Sequence, residues 1–509
     1  MNTVGTLPDW AALGPAFLLL GTALVLFIVD MIDPDETNGL LLAGVSVTGA
    51  LAALATSVWY LVAGTGQPGA GDLDTDGAIE LFGGNLIVDG MSLFFATIIT
   101  SVVLLVVLAS YEYLRDHPYQ SEYYSLILLA ATGMVMVAFS NSFVTAFISI
   151  ELVSLPSYAL VAYLKTNKGS VEGGLKYFLI GALSSAIFVY GISLVYVATG
   201  SLQFGAITAA FDAGELAGGD GILGLGVLMI LGGISFKLAA VPFHFWAPDA
   251  YEGAPAPVSA FLSSASKAAG FVLAFRVFAD VFSHTAVTET IDWVIAFQII
   301  AIITMTIANF AALKQDNVKR ILAYSSVAHA GYVLIALAAL TSSAQGNEAF
   351  VLGSGFAHLM VYAFMNTGAF LFVALAEYWE IGRRVEDYHG LGRQAPVASA
   401  AMTVFLFSLA GLPLGGGFLS KFYLLWATVE GQVALLAVAL VGNSVISLFY
   451  YTRIVKALWI EEPSADLEIT QYPTGLYTAI AVAAIMSILL LPGFGIVVEF
   501  AETAAGMIV

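Results

Sequence analysis

Apolar residues recur along this chain in blocks of about twenty, the length of helix that crosses a ~30 Å hydrocarbon layer. Fourteen blocks can be drawn, near 11–29, 40–64, 91–110, 124–140, 143–164, 177–199, 222–247, 256–282, 293–313, 320–342, 349–376, 397–427, 433–459 and 474–497. Each predicts one membrane helix, because inside lipid a helix satisfies its own backbone N–H and C=O groups. The pattern predicts an all-α polytopic membrane protein of about fourteen transmembrane helices. No Lys or Arg precedes Arg115, so the first block lacks the positive flank of a secretory leader and is expected to be a retained span.

Composition adds exclusions. Only 10% of the 509 residues are charged, against about 25% in a soluble domain. Acids outnumber Lys plus Arg by 36 to 16, a net charge of −20. Nucleic acid is thereby excluded as a partner, since phosphate backbones are bound by clustered basic side chains. The chain has no cysteine, which removes disulfides, thiol catalysis, Cys-ligated iron–sulfur clusters and Cys zinc sites. There is no Walker-type nucleotide loop, no dinucleotide-binding glycine fingerprint and no metal-ligand spacing of the HExxH kind. No cofactor, metal or redox centre is expected in this chain.

The sixteen basic residues set an orientation. Loops after odd-numbered blocks carry Arg115; Lys165, Lys168 and Lys176; Lys314, Lys319 and Arg320; Arg383, Arg384 and Arg393; and Arg453 and Lys456. Loops after even-numbered blocks, and both ends of the chain, carry none. The positive-inside rule then places the odd-to-even loops in the cytoplasm of a cell (plasma) membrane and both termini outside. A missed or extra span would reverse the sign partway along, so the split also argues for fourteen. The outer loops are acidic: Asp72, Asp74, Asp76, Glu80 and Asp89 in one, Asp212, Glu215 and Asp220 in another. These read either as ordinary solvated loops or as the salt-adapted surface of a halophile, whose self-repulsion salt screens.

Four basic residues, Lys237, Lys267, Arg276 and Lys421, fall inside blocks. A charge at mid-bilayer costs roughly 2.5–3.5 kcal/mol on insertion scales and by default marks a functional path. Glu151 and His329 interrupt apolar blocks in the same way, His244 follows Lys237 by seven residues, and His358 is a weaker member of the set. Lys267 lies beside Ser263, Ser264 and Ser266. Taken singly, each has a structural reading, as a paired charge or a satisfied packing residue. Taken together they lack matched carboxylates, because Glu151 is the one clear acid at mid-depth among three lysines. Burial favours a neutral lysine and a neighbouring anion a charged one, so such a lysine can accept and release a proton, as can histidine. The set reads as a proton relay. Arg276 keeps its proton and lies towards the outer end of its block, so it reads as a snorkelling or ion-pairing residue.

Two of these blocks carry helix breaks. Pro242 and Pro248 flank 243-FHFWA-247 in the seventh, and Pro413 with 415-GGG-417 precedes Lys421 in the twelfth. Broken spans five apart suggest two five-span units related as inverted repeats around an ion site.

The stretches 151-ELVSLPSYALVAY-163, 172-EGGLKYFLIGALSSAIFVYGISLVY-196, 241-VPFHFWAPDAYEGAPAPVSAFLSSASKAAGF-271, 318-VKRILAYSSVAHAGY-332 and 411-GLPLGGGFLSKFYLL-425 resemble the antiporter-like membrane subunits of respiratory complex I and of multisubunit cation/proton antiporters. The resemblance runs from about 90 to 460, more loosely to both ends, and 172–196 is most similar to the N-type subunit of NADH:quinone oxidoreductase. It implies an N-terminal unit (1–110, helices 1–3), a first repeat (124–283, helices 4–8), an inverted second repeat (292–459, helices 9–13) and a final helix with tail (474–509), helices 7 and 12 being broken. It implies that Glu151 is the essential carboxylate, Lys237 its partner, Lys267 the central lysine and Lys421 the terminal one, with His244 and His329 bridging the lysines and Lys176, near the cytoplasmic start of helix 6, a further member of the path. Lys421, where M-type subunits carry Glu, and the absence of a long lateral helix after helix 14 favour the N type. The function implied is proton translocation within a quinone-reducing translocase of the respiratory chain. Quinone and iron–sulfur clusters would lie in partner subunits, and the partners would be other membrane subunits and the lipid bilayer. A Na⁺/H⁺ antiporter subunit using the same residues, or a purely structural membrane-arm subunit, are the alternatives.

Overall fold

The computed structural model describes residues 8–32, 38–67, 77–115, 117–214, 216, 220–463, 469 and 471–509. Asp72, Asp74, Asp76 and Glu215 of the acidic loops lie outside these residues, as does the side chain of Asp220.

The chain opens with α1 (Gly14–Ile32) and α2 (Gly39–Val62). A short antiparallel hairpin, β1 (Ile79–Leu81) with β2 (Leu86–Val88), leads into α3 (Gly90–Tyr113). Next come α4 (Gln120–Ala138), α5 (Phe143–Val161) and α6 (Lys168–Thr199). The shorter α7 (Phe204–Ala213) buries Phe204, Ile207 and Phe211, one stripe at helical spacing. The seventh block divides into α8 (Asp220–Leu238) and α9 (Trp246–Gly253). The eighth holds α10 (Ala256–Phe261) and α11 (Lys267–Phe275), with π-helical turns at Leu262–Ser266 and Arg276–Asp280. A single turn, α12 (Thr285–Thr288), precedes α13 (Trp293–Leu313) and α14 (Val318–Val333), which α15 (Ile335–Ala338) extends. After α16 (Glu348–Tyr378) and the short α17 (Leu391–Gln394), the twelfth block divides into α18 (Pro396–Ala410) and α19 (Gly417–Glu430). The chain closes with α20 (Ala434–Trp459), α21 (Thr474–Leu489) and α22 (Phe494–Ala505).

Among the described residues, twelve helices are long and apolar enough to cross a membrane, or thirteen if α21 and α22 form one span. The block at 397–427 stands outside that count because neither α18 nor α19 alone is long enough. The sequence reading of 474–497 as one helix is corrected: the chain turns by 84° between α21 and α22, where Pro492 and Gly493 interrupt helix formation.

Helices apolar on every side belong inside a bundle. The spans Gly90–Tyr113, Ala256–Ser283, Val318–Ala338 and Glu348–Tyr378 are 89%, 100%, 94% and 94% buried and form the centre. The spans of α2, α6, α13 and α20 are only about one-third buried and present Leu, Ile, Val and Phe outward, as lipid contact requires. Loops after odd-numbered blocks meet one another: Arg453 pairs with Asp316, Arg320 with Asp249 and Glu252, and Asn317 bridges to Arg384. Loops after even-numbered blocks meet at the opposite end, where Ser142 bridges to Gln203 and Thr341 donates to the Gly431 carbonyl.

Candidate functional site

The two interrupted blocks end their first helices in the same way. In α8, Ala239 adopts left-handed backbone (φ 57°), with Ala240 N–H bonding the Ser235 carbonyl and Ala239 N–H the Phe236 carbonyl. In α18, Gly411 is left-handed (φ 91°), with Leu412 N–H bonding the Phe407 carbonyl and Gly411 N–H the Ser408 carbonyl. Both are Schellman-type stops, and a proline follows each within three residues. A helix C-terminus inside the bundle presents unpaired carbonyls and partial negative charge, which a cation complements. Lys237 occupies the last turn of α8, and Lys421 donates to the Ala410 carbonyl at the end of α18, 3.2 Å away.

Glu151 lies on α5 and accepts a hydrogen bond from Ser185 of α6. One turn further along α5, Ser154 accepts from Lys237 Nζ at 3.1 Å. Among the described residues Lys237 forms no ion pair within 4.0 Å, so Glu151 and Lys237 communicate across one helical turn rather than by contact. The stem of Lys237 rests on Gly270: a Cβ there would lie 3.2 Å from Lys237 Cγ and 3.0 Å from Leu238 Cδ2. Gly270 is one turn from Lys267 on α11, so the missing side chain at 270 brings the two lysines' helices together.

Lys267 follows directly on the π-helical turn, a local rewinding common at functional sites. Its Nζ donates to the backbone carbonyl of Ser326 and, at 2.6 Å, to the Ser326 hydroxyl on α14. Asn366 of α16 holds the neighbouring Ser263 and Ser264 hydroxyls at 2.7 and 3.0 Å. His329 is one turn beyond Ser326. Its Nδ1 lies 3.1 Å from His358 Nε2, and His358 Nδ1 lies 3.0 Å from the Ser420 hydroxyl, next to Lys421. Lys421 also sits over the Tyr332 ring, 4.7 Å from its centroid. The three lysines are all buried, at 5%, 1% and 6% exposure.

The structure thus sets Glu151, Lys237, Lys267, His329 and Lys421 in a line over neighbouring helices, which starts at half-buried Glu151 on α5 and crosses the central spans at Lys267 and His329. His329 meets His358 rather than a lysine, which moves His358 from the edge of the candidate set to its middle. His244 falls in the break between α8 and α9, and no hydrogen bond joins it to either Lys237 or Lys267 among the described residues. Lys176 is not buried. It pairs with Glu172 and Asp249, each at 2.7 Å, in a network where Arg320 also grips Asp249 (2.7 Å) and Glu252 (2.6 Å). Burial pushes the Asp249 carboxyl up, but the hydrogen bonds from Lys176 and Arg320 outweigh it and hold the group below its ordinary value.

Of the two readings left open for Arg276, ion pairing holds: it pairs with Asp89 at 2.8 Å, both 3% exposed. Two other assignments from sequence are corrected. Asp89 is accordingly no solvated loop residue, and its carboxylate also caps α3 by accepting from Ser92 N–H at 2.8 Å. Lys319, counted with the basic loops, is fully buried against Glu377 at 3.2 Å. The serines that connect the line, Ser154, Ser326 and Ser420, and the space-making Gly270 were not singled out by sequence. Their common signal is a small residue one turn from, or next to, a buried charge.

The sequence profile of the NADH:quinone oxidoreductase/Mrp antiporter transmembrane family matches residues 140–447, which contain every member of this line. The chain belongs to that family. Its relatives in the family include F(420)H(2) dehydrogenase subunit N of Methanosarcina mazei, 37% identical over 92% of this chain and 93% of the relative. NADH-quinone oxidoreductase subunit N of Rhodospirillum rubrum is 37% identical over 97% of each chain. Among solved structures, a chain of respiratory complex I from Thermus thermophilus superposes with a TM-score of 0.76 at 28% identity, covering 95% of this chain and 98% of that one. A chain of the Mrp complex from Dietzia sp. DQ12-45-1b gives a TM-score of 0.80 at 20% identity over 97% of each chain, a likeness of fold.

Proposed function

We propose that this chain is an N-type, proton-translocating membrane subunit of a quinone-reducing assembly related to complex I. The observation that carries the proposal is a set of hydrogen-bonded steps, Lys237–Ser154, Lys267–Ser326 and His329–His358–Ser420, joined to one another and to Glu151 and Lys421 by neighbouring positions on a helix or by the packing at Gly270. A purely structural set would pair its lysines with carboxylates, whereas these lysines bond serine hydroxyls and backbone carbonyls, contacts they can make whether charged or neutral.

In this reading a proton enters from the basic end near Lys176 and loads Lys237. Glu151 sets the affinity of Lys237 for it, since a nearby anion favours the charged lysine and a more distant one releases the proton. Transfer proceeds through Lys267 and the histidine pair to Lys421 and then outward, with His244 beside the first step. Each charge moved opposes about 2.3 kcal/mol per 100 mV. The basic end faces the cytoplasm of a plasma membrane and both termini lie outside. Residues 124–283 and 292–459 form the two inverted repeats, a reading supported by the matching Schellman stops at Ala239 and Gly411. Relatives of this chain belong to assemblies named for different electron donors, which fits electron chemistry, quinone and iron–sulfur clusters residing in other subunits.

The test is Lys237→Ala in the assembled complex. Proton translocation per quinone reduced should fall sharply while the subunit remains incorporated, and unchanged translocation would remove Lys237 from the path.

A further inference from the structure

We propose that Asn366 of α16 is a positioning residue for the central step of the line: it clamps the π-helical turn that aims Lys267 at Ser326. This rests on the relay reading above. Asn366 is fully buried, and its Nδ2 lies 2.7 Å from the Ser263 hydroxyl and 3.0 Å from that of Ser264. Those serines are the second and third residues of the π-helical turn Leu262–Ser266, and Lys267 is the residue that follows it. Such a turn is wound more loosely than an α-helix, so relaxing it to α-helix would rotate its two sides against each other by one residue, about 100°. On the near side α10 is tied to α9, where Ser259 donates to the Tyr251 carbonyl at 2.6 Å. The winding of the turn therefore sets which way Lys267 and Gly270 face, and with it the contact of Lys267 with Ser326.

Two observations separate this clamp from a simple tie between helices. The first is what it costs. The other end of the Asn366 amide, Oδ1, is buried without a hydrogen-bond partner among the described residues. Exchanging the two ends of the amide leaves the same situation, because a serine hydroxyl can donate or accept. A residue that only packed α16 against its neighbours could be apolar and would leave no polar atom unpaired. The second is its place on α16. His358, Tyr362 and Asn366 follow one another at four-residue spacing and so share one face of that helix. His358 meets His329 at 3.1 Å, the Tyr362 ring stacks on the His329 ring with 5.0 Å between centroids, and Asn366 holds the turn before Lys267. One face of one helix, in a span that is 94% buried, thus holds both ends of the step from Lys267 to the histidine pair. His358 and Asn366 are eight residues apart, so α16 fixes their separation at about 12 Å along its axis.

The experiment measures proton translocation per quinone reduced, and its pH dependence, for the assembled complex in proteoliposomes. The variants are Asn366→Leu, the pair Ser263→Ala with Ser264→Ala, all three changes together, and Lys267→Ala. The titratable groups around Lys267 are Lys237 on α8, His329 on α14, and Tyr177, Tyr251 and Tyr362 on α6, α9 and α16, and the first three variants leave all of them in place. The proposal expects several-fold lower translocation in Asn366→Leu and in the serine pair, with the pH profile displaced, because Lys267 would meet different neighbours. The triple variant should be no lower than Asn366→Leu, since the amide and the two hydroxyls act as one contact. If Asn366→Leu assembles poorly, the serine pair, which removes only two hydroxyls, decides in the same way. Variants that lower the amount of complex but keep the translocation and pH profile of the parent overturn the positioning role and leave a structural tie. Losses that simply add in the triple variant overturn it as well. Lys267→Ala with unchanged pumping would instead overturn the relay itself, whatever the Asn366 variants do.

Discussion

Gly270 shows how much of the site depends on a side chain that is not there. The charged members of the line were visible in the sequence because each interrupts an apolar block, and a charge inside lipid needs a reason. Their partners were not visible, because a serine or glycine in a membrane helix is unremarkable until its neighbours are known. Lys237 meets Ser154 across 83 residues, Lys267 meets Ser326 across 59, and His358 meets Ser420 across 62. Pattern along the chain reports periodicity and depth, whereas these contacts are set by how the helices pack. Gly270 offers a direct test. An added Cβ already comes within 3.2 Å of Lys237 Cγ, so Gly270→Leu must push the lysine stem aside or separate α8 from α11. The expected cost is about 1–3 kcal/mol of stability, as for other overpacked cores. Proton translocation should fall further than the loss of folded complex explains, and Gly270→Ala should be milder on both counts. Thermal unfolding of the purified complex beside its pumping rate separates the two effects.

At the level of elements, the breaks in the seventh and twelfth blocks were legible from Pro242, Pro248, Pro413 and the triple glycine, since each removes helix hydrogen bonds or weakens helix propensity. What sequence left open was the use of the broken ends: Lys237 sits in the last turn of α8 and bonds Ser154, and Lys421 bonds the carbonyl that ends α18. The span of α10 and α11 carries the converse lesson. Its two π-helical turns lie against Lys267 and Arg276, and no residue in 256–282 announces them. Arg276 was placed correctly near one end of its span, yet whether it snorkelled or paired depended on Asp89, 187 residues away. That buried pair joins the π-helical segment to the cap of α3, and breaking it from one side leaves an uncompensated charge. Asp89→Ala should therefore destabilise the subunit by about 3–5 kcal/mol. The double change Asp89→Leu with Arg276→Met should recover most of that loss, because it removes both charges while keeping apolar volume. Denaturation midpoints of the detergent-solubilised protein measure both, and a single variant as stable as the parent would mean that water reaches the pair.

For the whole molecule, the alternation of charge along the chain and the contacts between loops agree on two opposite ends. The basic loops meet through Arg453–Asp316 and Arg320–Glu252, and the loops without Lys or Arg meet through Ser142–Gln203 and Thr341–Gly431. Contacts alone assign neither end to the cytoplasm, because the same bundle inserted the other way up, rotated by 180° about an axis in the membrane plane, has the same internal contacts. Orientation rests on the positive-inside rule, which describes insertion rather than folded packing. The absence of cysteine makes the question directly measurable, since one introduced thiol is the only reactive sulfhydryl in the chain. Thr166, in the exposed loop between α5 and α6, belongs to the basic end, and Ser343, exposed between α15 and α16, belongs to the other. In intact cells a membrane-impermeant maleimide should label Ser343→Cys and leave Thr166→Cys unmodified. In inverted membrane vesicles the pattern should reverse. Labelling of Thr166→Cys in intact cells would invert the bundle, and the proposed entry near Lys176 would then become an exit.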